Sequence, residues 1–260
     1  MTIFEGGNLS HERRGPRARS EVARVRGDDH PVAWRALVGE FVGCTMLMVV
    51  VVGSGYAAQR LSPGNVGLEL LENALAIGAG LFVIINIFGP VSGAHLNPMV
   101  SLVDAWFGSS SWFRATCYIP FQFAGCISGT ILANLMFGSK WISWSTHHRA
   151  SGPHFLSEIV ATAGLILLVF ALQRSDRHAL SASAVGLYIF AACFATSSAT
   201  FANPAVTVAR SFTDSFTGIA PGSLAVYVAG QIIGATAGAA MVLLLFPRSR
   251  ADKSQGVTAV

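Results

Sequence analysis

Gly93-Ala94-His95-Leu96-Asn97-Pro98-Met99-Val100-Ser101-Leu102 and Thr200-Phe201-Ala202-Asn203-Pro204-Ala205-Val206-Thr207-Val208-Ala209-Arg210 decide how this chain folds. Each places Asn before Pro and then a short apolar run. Asn is a favoured N-cap, and Pro suits the first helical position. A run of about ten residues, at about 1.5 Å each, crosses only about half of a bilayer's hydrocarbon core. Both stretches are therefore predicted as half-helices entered through irregular backbone. Such backbone is tolerated at membrane depth only where it lines a cavity or is buried in protein. The pair alone implies a pore or a transporter site.

The remaining sequence is that of a membrane protein. Charged residues make up 12% of the chain and hydrophobic residues 52%. Soluble domains carry about 25% charged residues. Six long apolar segments lie at about residues 32–57, 69–89, 112–137, 155–172, 179–196 and 223–246. Each is near the roughly 20 residues that span a bilayer. An all-α membrane fold follows, with six transmembrane helices and two half-membrane helices.

The net charge of +4 does not imply nucleic acid, because of where the charges lie. Arg13, Arg14, Arg17, Arg19, Arg24, Arg26 and Arg35 all fall before or at the start of the first apolar run. Such clusters mark cytoplasmic flanks that meet anionic lipid headgroups. With both termini inside, the inner flanks also hold Arg114, Arg174, Arg177, Arg248, Arg250 and Lys253, against Arg60, Lys140 and Arg149 outside. This asymmetry predicts cytoplasmic termini. Residues 1–31 are expected to be a disordered basic tail, with no cleaved signal peptide, and 248–260 a second cytoplasmic tail. The lack of a targeting segment fits a bacterial inner membrane. Cys44, Cys117, Cys126 and Cys193 sit in apolar runs without metal-ligand spacing and are expected to pack as reduced thiols.

The two halves, about 32–137 and 154–247, repeat one another. Glu40-Phe-Val-Gly-Cys44 answers Glu158-Ile-Val-Ala-Thr162, and Asn97-Pro98 answers Asn203-Pro204. Tyr118-Ile-Pro-Phe-Gln122-Phe-Ala-Gly125 answers Tyr227-Val-Ala-Gly-Gln231-Ile-Ile-Gly234. Each half has an odd number of spans, so the second lies inverted relative to the first. Inverted repeats with broken helices place the working site near the midplane. Gly125 with Gly129, and Gly234 with Gly238, have the spacing that lets helices approach closely.

These paired motifs resemble the aquaporin, or major intrinsic protein, family over about residues 33–247. The resemblance implies a homotetramer with one pore per subunit. The half-helices would enter from opposite faces and point their N-termini, each with roughly half a positive charge, at the pore centre. Asn97 and Asn203 would cap them and offer amide donors to a passing neutral molecule. Glu40 and Glu158 would accept hydrogen bonds from the half-helix loops, with His95, Gln122 and Gln231 as further structural support.

Two departures from the family pattern bear on what passes. Met99 stands where the family usually has Ala, and either narrows the pore or only repacks a contact. Val206 stands where most members carry a filter Arg. By the same count the other filter positions are Ile77, Ala191 and Thr200. This set lacks the Arg, the His and the aromatics of water-selective members, and describes a wider, largely apolar constriction with one fixed charge fewer against protons. The chain looks like the bacterial channels of arsenic-resistance operons, which also lack this Arg. Water, glycerol-type polyols and metalloid hydroxides such as arsenite, As(OH)3, are the expected solutes. Arg210 lies four residues beyond Val206, on the same helix face and about 5 Å further out. It either swings in to replace the missing charge or snorkels to the interface. Cys193 is expected to face a neighbouring helix.

A coupled secondary transporter shares the repeat logic. Coupling needs acids near the midplane, and Glu40 and Glu158 sit at scaffold positions. No nucleophile elbow, Gly-rich phosphate loop or metal spacing suggests an enzyme, a metal site or a cofactor. The adjacent His147 and His148 read as an exposed loop pair.

Overall fold

The computed structural model describes residues 32–247; the two tails expected at 1–31 and 248–260 lie outside the described residues. Helices α1 (Trp34–Leu61), α2 (Val66–Ser92), α3 (Pro98–Trp106) and α4 (Trp112–Met136) form the first half. Helices α5 (Gly152–Arg174), α6 (Ser181–Ala195), α7 (Pro204–Ala209) and α8 (Leu224–Leu245) form the second. All except α3 and α7 belong to stretches long and apolar enough to cross a bilayer.

Local chemistry sets the helix ends. The side chain of Asn65 accepts from Leu68 N, that of Ser111 from Arg114 N and that of Ser151 from His154 N. Each satisfies an N–H group that its first turn leaves free. Helix α2 stops at Gly93, whose φ of 87° is left-handed. Pro90 and Pro120 lie inside α2 and α4. Proline within membrane helices is tolerated where neighbours satisfy the freed backbone groups. The second half-helix is shorter than its apolar pattern suggests. After Ala209 the chain tightens into a 3-10 turn, Arg210–Phe212.

The repeat governs packing. Helix α1 packs along α4 just as α5 packs along α8, while α2 meets α6 between the halves. The first pairing depends on Gly125 and Gly129, whose Cα atoms face the carbonyl oxygens of Phe41 and Thr45. In the second, Gly234 and Gly238 face those of Ile159 and Ala163. A side chain at any of these four would collide with backbone, which cannot swing away. The half-helices α3 and α7 touch each other inside this frame.

The seam gives a direct test. Gly125→Val should destabilise the purified protein by about 1–3 kcal/mol or prevent folding, because overpacking here displaces a helix backbone. Gly89→Ala, where no atom lies within 4 Å of the added carbon, should not. Thermal unfolding in detergent compares the two, and equal loss in both would show that the seam is not tight.

Candidate functional site: a pore between two half-helices

The site begins with strained backbone. Ala94 and Leu96 precede Asn97 with φ of 48° and 52°, and Thr200 and Ala202 precede Asn203 with 47° and 48°. Left-handed conformations are costly for residues with a side chain and persist only where the surroundings impose them. Here two buried glutamates impose them. Glu40 Oε1 accepts from His95 N at 3.0 Å and Ser92 Oγ at 2.6 Å. Its Oε2 accepts from Leu96 N at 2.7 Å and Gln122 Nε2 at 2.8 Å. Glu158 takes Phe201 N at 3.0 Å on Oε1, and Ala202 N at 2.9 Å and Gln231 Nε2 at 2.7 Å on Oε2. Both glutamates are fully buried.

The two asparagines then join the halves. Asn97 Oδ1 accepts from Met99 N at 2.9 Å, and Asn203 Oδ1 from Ala205 N and Val206 N at 3.0 and 3.3 Å. With their oxygens capping their own helices, the amide nitrogens face across. Asn97 Nδ2 donates to Ala202 O at 2.8 Å, and Asn203 Nδ2 to Leu96 O at 2.7 Å. Each amide retains a second N–H, and both asparagines line the central cavity.

That cavity has a volume of about 370 Å³ and runs past both asparagines, from Asp104, Arg114 and His178 at one mouth to Thr200, Val206 and Arg210 at the other. Ile77, Thr200 and Val206 line it. Ala191 does not. It is exposed on the outside of α6, and the residues that α6 turns inward are Ser181, Val185 and Ile189. Counting back from Asn203 missed this because Thr196–Phe201 is not helical, so sequence distance there does not convert into helical phase. The one-turn spacing of Val185 and Ile189 is the signal that would have found them.

Met99 is buried in an apolar cluster with Ile166, Phe170 and Ala239 and does not line the cavity. Pro98, Pro204 and Ala205 are buried and shape the half-helices without lining the cavity. The thiol of Cys193 turns to Ala199 O at 3.6 Å, off the pore. His147 approaches Asp214 at 3.7 Å in a partly exposed loop pair.

Arg210 turns inward. It is 5% exposed, its guanidinium carbon lies 3.5 Å from the centre of the Phe201 ring, and its Nε donates to Thr217 O. The long loop before α5 is pinned to the segment after α7 by Ser143 N to Phe212 O, 3.1 Å, and Ala220 N to His147 O, 2.8 Å. It brings Arg149 to within 6.0 Å of the Phe201 ring centre. At the other mouth Asp104, passed over in the sequence, is 7% exposed. Its Oδ2 lies 3.8 Å from His95 Nε2, and its Oδ1 accepts from Gln173 Nε2 at 3.4 Å.

The sequence matches the family described as major intrinsic protein over residues 29–202 and 177–259. The chain belongs to this family. As a major intrinsic protein it is an integral membrane channel and not an enzyme, and solutes pass through it without coupling. It is 43% identical to an aquaglyceroporin, AqpS, of Rhizobium meliloti (strain 1021), a match covering 83% of this chain and 92% of that protein. It is 31% identical to the glycerol uptake facilitator protein of Streptococcus pneumoniae (strain ATCC BAA-255 / R6), over 59% of this chain and 71% of that one. The X-ray structure of the aquaglyceroporin from Plasmodium falciparum shares the fold, with a TM-score of 0.62 at 22% identity, covering 80% of this chain and 95% of that one.

The glutamates are testable as scaffold. Glu158→Gln replaces one acceptor oxygen by an NH2 group that faces a donor, either Phe201 N or the pair Ala202 N and Gln231 Nε2. It should cost about 1–3 kcal/mol per unsatisfied buried group. A thermal unfolding series with water flux beside it checks this. Full stability with unchanged flux would show that the loop holds itself.

Proposed function

We propose that this channel passes small uncharged hydroxylated solutes: water, glycerol-type polyols and metalloid hydroxides such as arsenite. The observation that carries the reading is Val206. It lines the cavity with Thr200 and Ile77, at the place where the family resemblance expects a filter arginine. A short apolar side chain there fills less of the bore than an arginine would. Arg210 supplies the missing guanidinium one turn further out, where Phe201 and Thr217 hold it. Solutes thus meet a cationic donor first and a wide, mostly apolar constriction second. The names of the Rhizobium and Streptococcus relatives, an aquaglyceroporin and a glycerol facilitator, support this solute class.

We further propose a homotetramer in a bacterial plasma membrane, with both termini in the cytoplasm. The family resemblance and the arginine-rich flanks support this. The outer face of α2 and α6 exposes Leu75, Phe82, Val83 and Leu187 around an apolar groove, which suits a second copy of the chain. In this orientation Arg210 lies at the outer mouth and Asp104 at the inner one.

Proteoliposomes test the solute reading by light scattering after water and glycerol gradients, with arsenite uptake measured alongside. Rapid glycerol and arsenite entry is expected. Val206→Arg should slow both by about tenfold or more, since filling an apolar constriction discriminates on that scale. Fast water flux with neither solute entering would sink the assignment.

A further inference from the structure

The pseudo-twofold relation extends beyond the motifs that define the family. The step that takes Asn97 to Asn203 also takes Ser92 to Ser198, His95 to Phe201, Ser101 to Thr207 and Asp104 to Arg210. The geometry keeps these correspondences. Gln122 donates to Ser101 Oγ at 3.0 Å, and Gln231 to Thr207 Oγ1 at 2.8 Å. Tyr118 meets His95 edge-on at 5.3 Å between ring centres, and Tyr227 meets Phe201 at 4.8 Å. Seven residues after each Asn the chain therefore carries opposite charges at equivalent places. Both are buried, and both line one cavity.

Asp104 is not explained by the scaffold. It stands in the last turn of α3, where the helix dipole disfavours an acid. Its two protein contacts are long, at 3.4 and 3.8 Å. Among the described residues no Lys or Arg lies within 4 Å of it, and the nearby Arg114 is engaged by Tyr118 OH and Ser92 O. A buried carboxyl group with so little protein hydrogen bonding needs donors from the cavity.

We infer that Asp104 is a specificity-determining residue of the inner mouth, where its carboxylate accepts hydrogen bonds from solute hydroxyls and turns back anions, as Arg210 turns back cations at the outer mouth. The inference rests on the channel reading with Arg210 as its outer charge. A neutral solute with hydroxyl groups satisfies both stations, because a hydroxyl donates to Asp104 and accepts from Arg210. An ion of either sign is repelled at one of them. Single-sign charges at pore mouths set ion preference in the same way. Two of opposite sign in series favour what carries no net charge.

The test is the sign of the leak. Full-length protein is reconstituted in planar bilayers across a potassium chloride gradient, and glycerol entry is scored in matched vesicles. The wild type should carry no measurable ion current. Asp104→Asn and Asp104→Ser should leak with a reversal potential shifted toward that of chloride. Arg210→Gln should shift it toward potassium, and Asp104→Glu should restore anion exclusion. A potassium-selective leak in Asp104→Asn, or no leak in a variant that still passes glycerol, overturns the inference. So does loss of folded protein in both neutral Asp104 variants, which would make the residue structural. Failure of glycerol entry in the wild type would instead sink the solute reading and leave the sign test standing.

Discussion

Irregular backbone inside a membrane must find hydrogen-bond partners within the protein, and this requirement organises the molecule. Two loops reach the centre in left-handed conformations, and water cannot satisfy their N–H groups there. Glu40 and Glu158 do so from helices α1 and α5. Gln122 and Gln231, on α4 and α8, bridge each carboxyl group to its half-helix. The glycine seams let α4 and α8 come close enough for those bridges. Burying a carboxyl group is costly unless it is hydrogen-bonded, and each glutamate accepts at least three bonds. The pore is thus a by-product of satisfied backbone: the loops and asparagines held in this way line the cavity.

This division of labour accounts for how much was legible beforehand. The paired Asn-Pro stretches, the glutamates and the Gln-x-x-Gly pairs are fixed by local chemistry that the sequence displays. The fold, the repeat and the role of the glutamates follow from them. Positions that depend on helical phase across a loop were not legible. Ala191 was assigned to the constriction by counting through Thr196–Phe201, where the chain has no constant turn per residue, and Ile189 faces the cavity in its place. Met99 and Arg210 each left two outcomes open, because a flexible side chain takes its direction from neighbours distant in sequence. Phe201 and Thr217 draw Arg210 in, while Ile166 and Phe170 draw Met99 away. Asp104 was readable from the repeat, since it and Arg210 share an offset from their asparagines. It went unnoticed because an acid in a short apolar helix matched no motif.

The filter shows how a charge can move while the fold stays fixed. Val206 and Arg210 line the same cavity although α7 ends at Ala209, so a guanidinium at position 210 in place of 206 still reaches it. The loop that carries Arg149 also reaches Phe201, so two cations approach one aromatic ring. In the proposed filter the positive charge thus stands just past the end of α7, without any change in the six spans.

The crossed bonds from Asn97 to Ala202 O and from Asn203 to Leu96 O also bear on biogenesis. Each half-helix loop lends a carbonyl to the other half's asparagine, so neither loop can reach its final state alone. During synthesis the first re-entrant segment has to wait, incomplete, until the ribosome has delivered residue 203 and beyond. The conduit is complete only once both halves of the polypeptide are in place, because each supplies the other's last hydrogen bond.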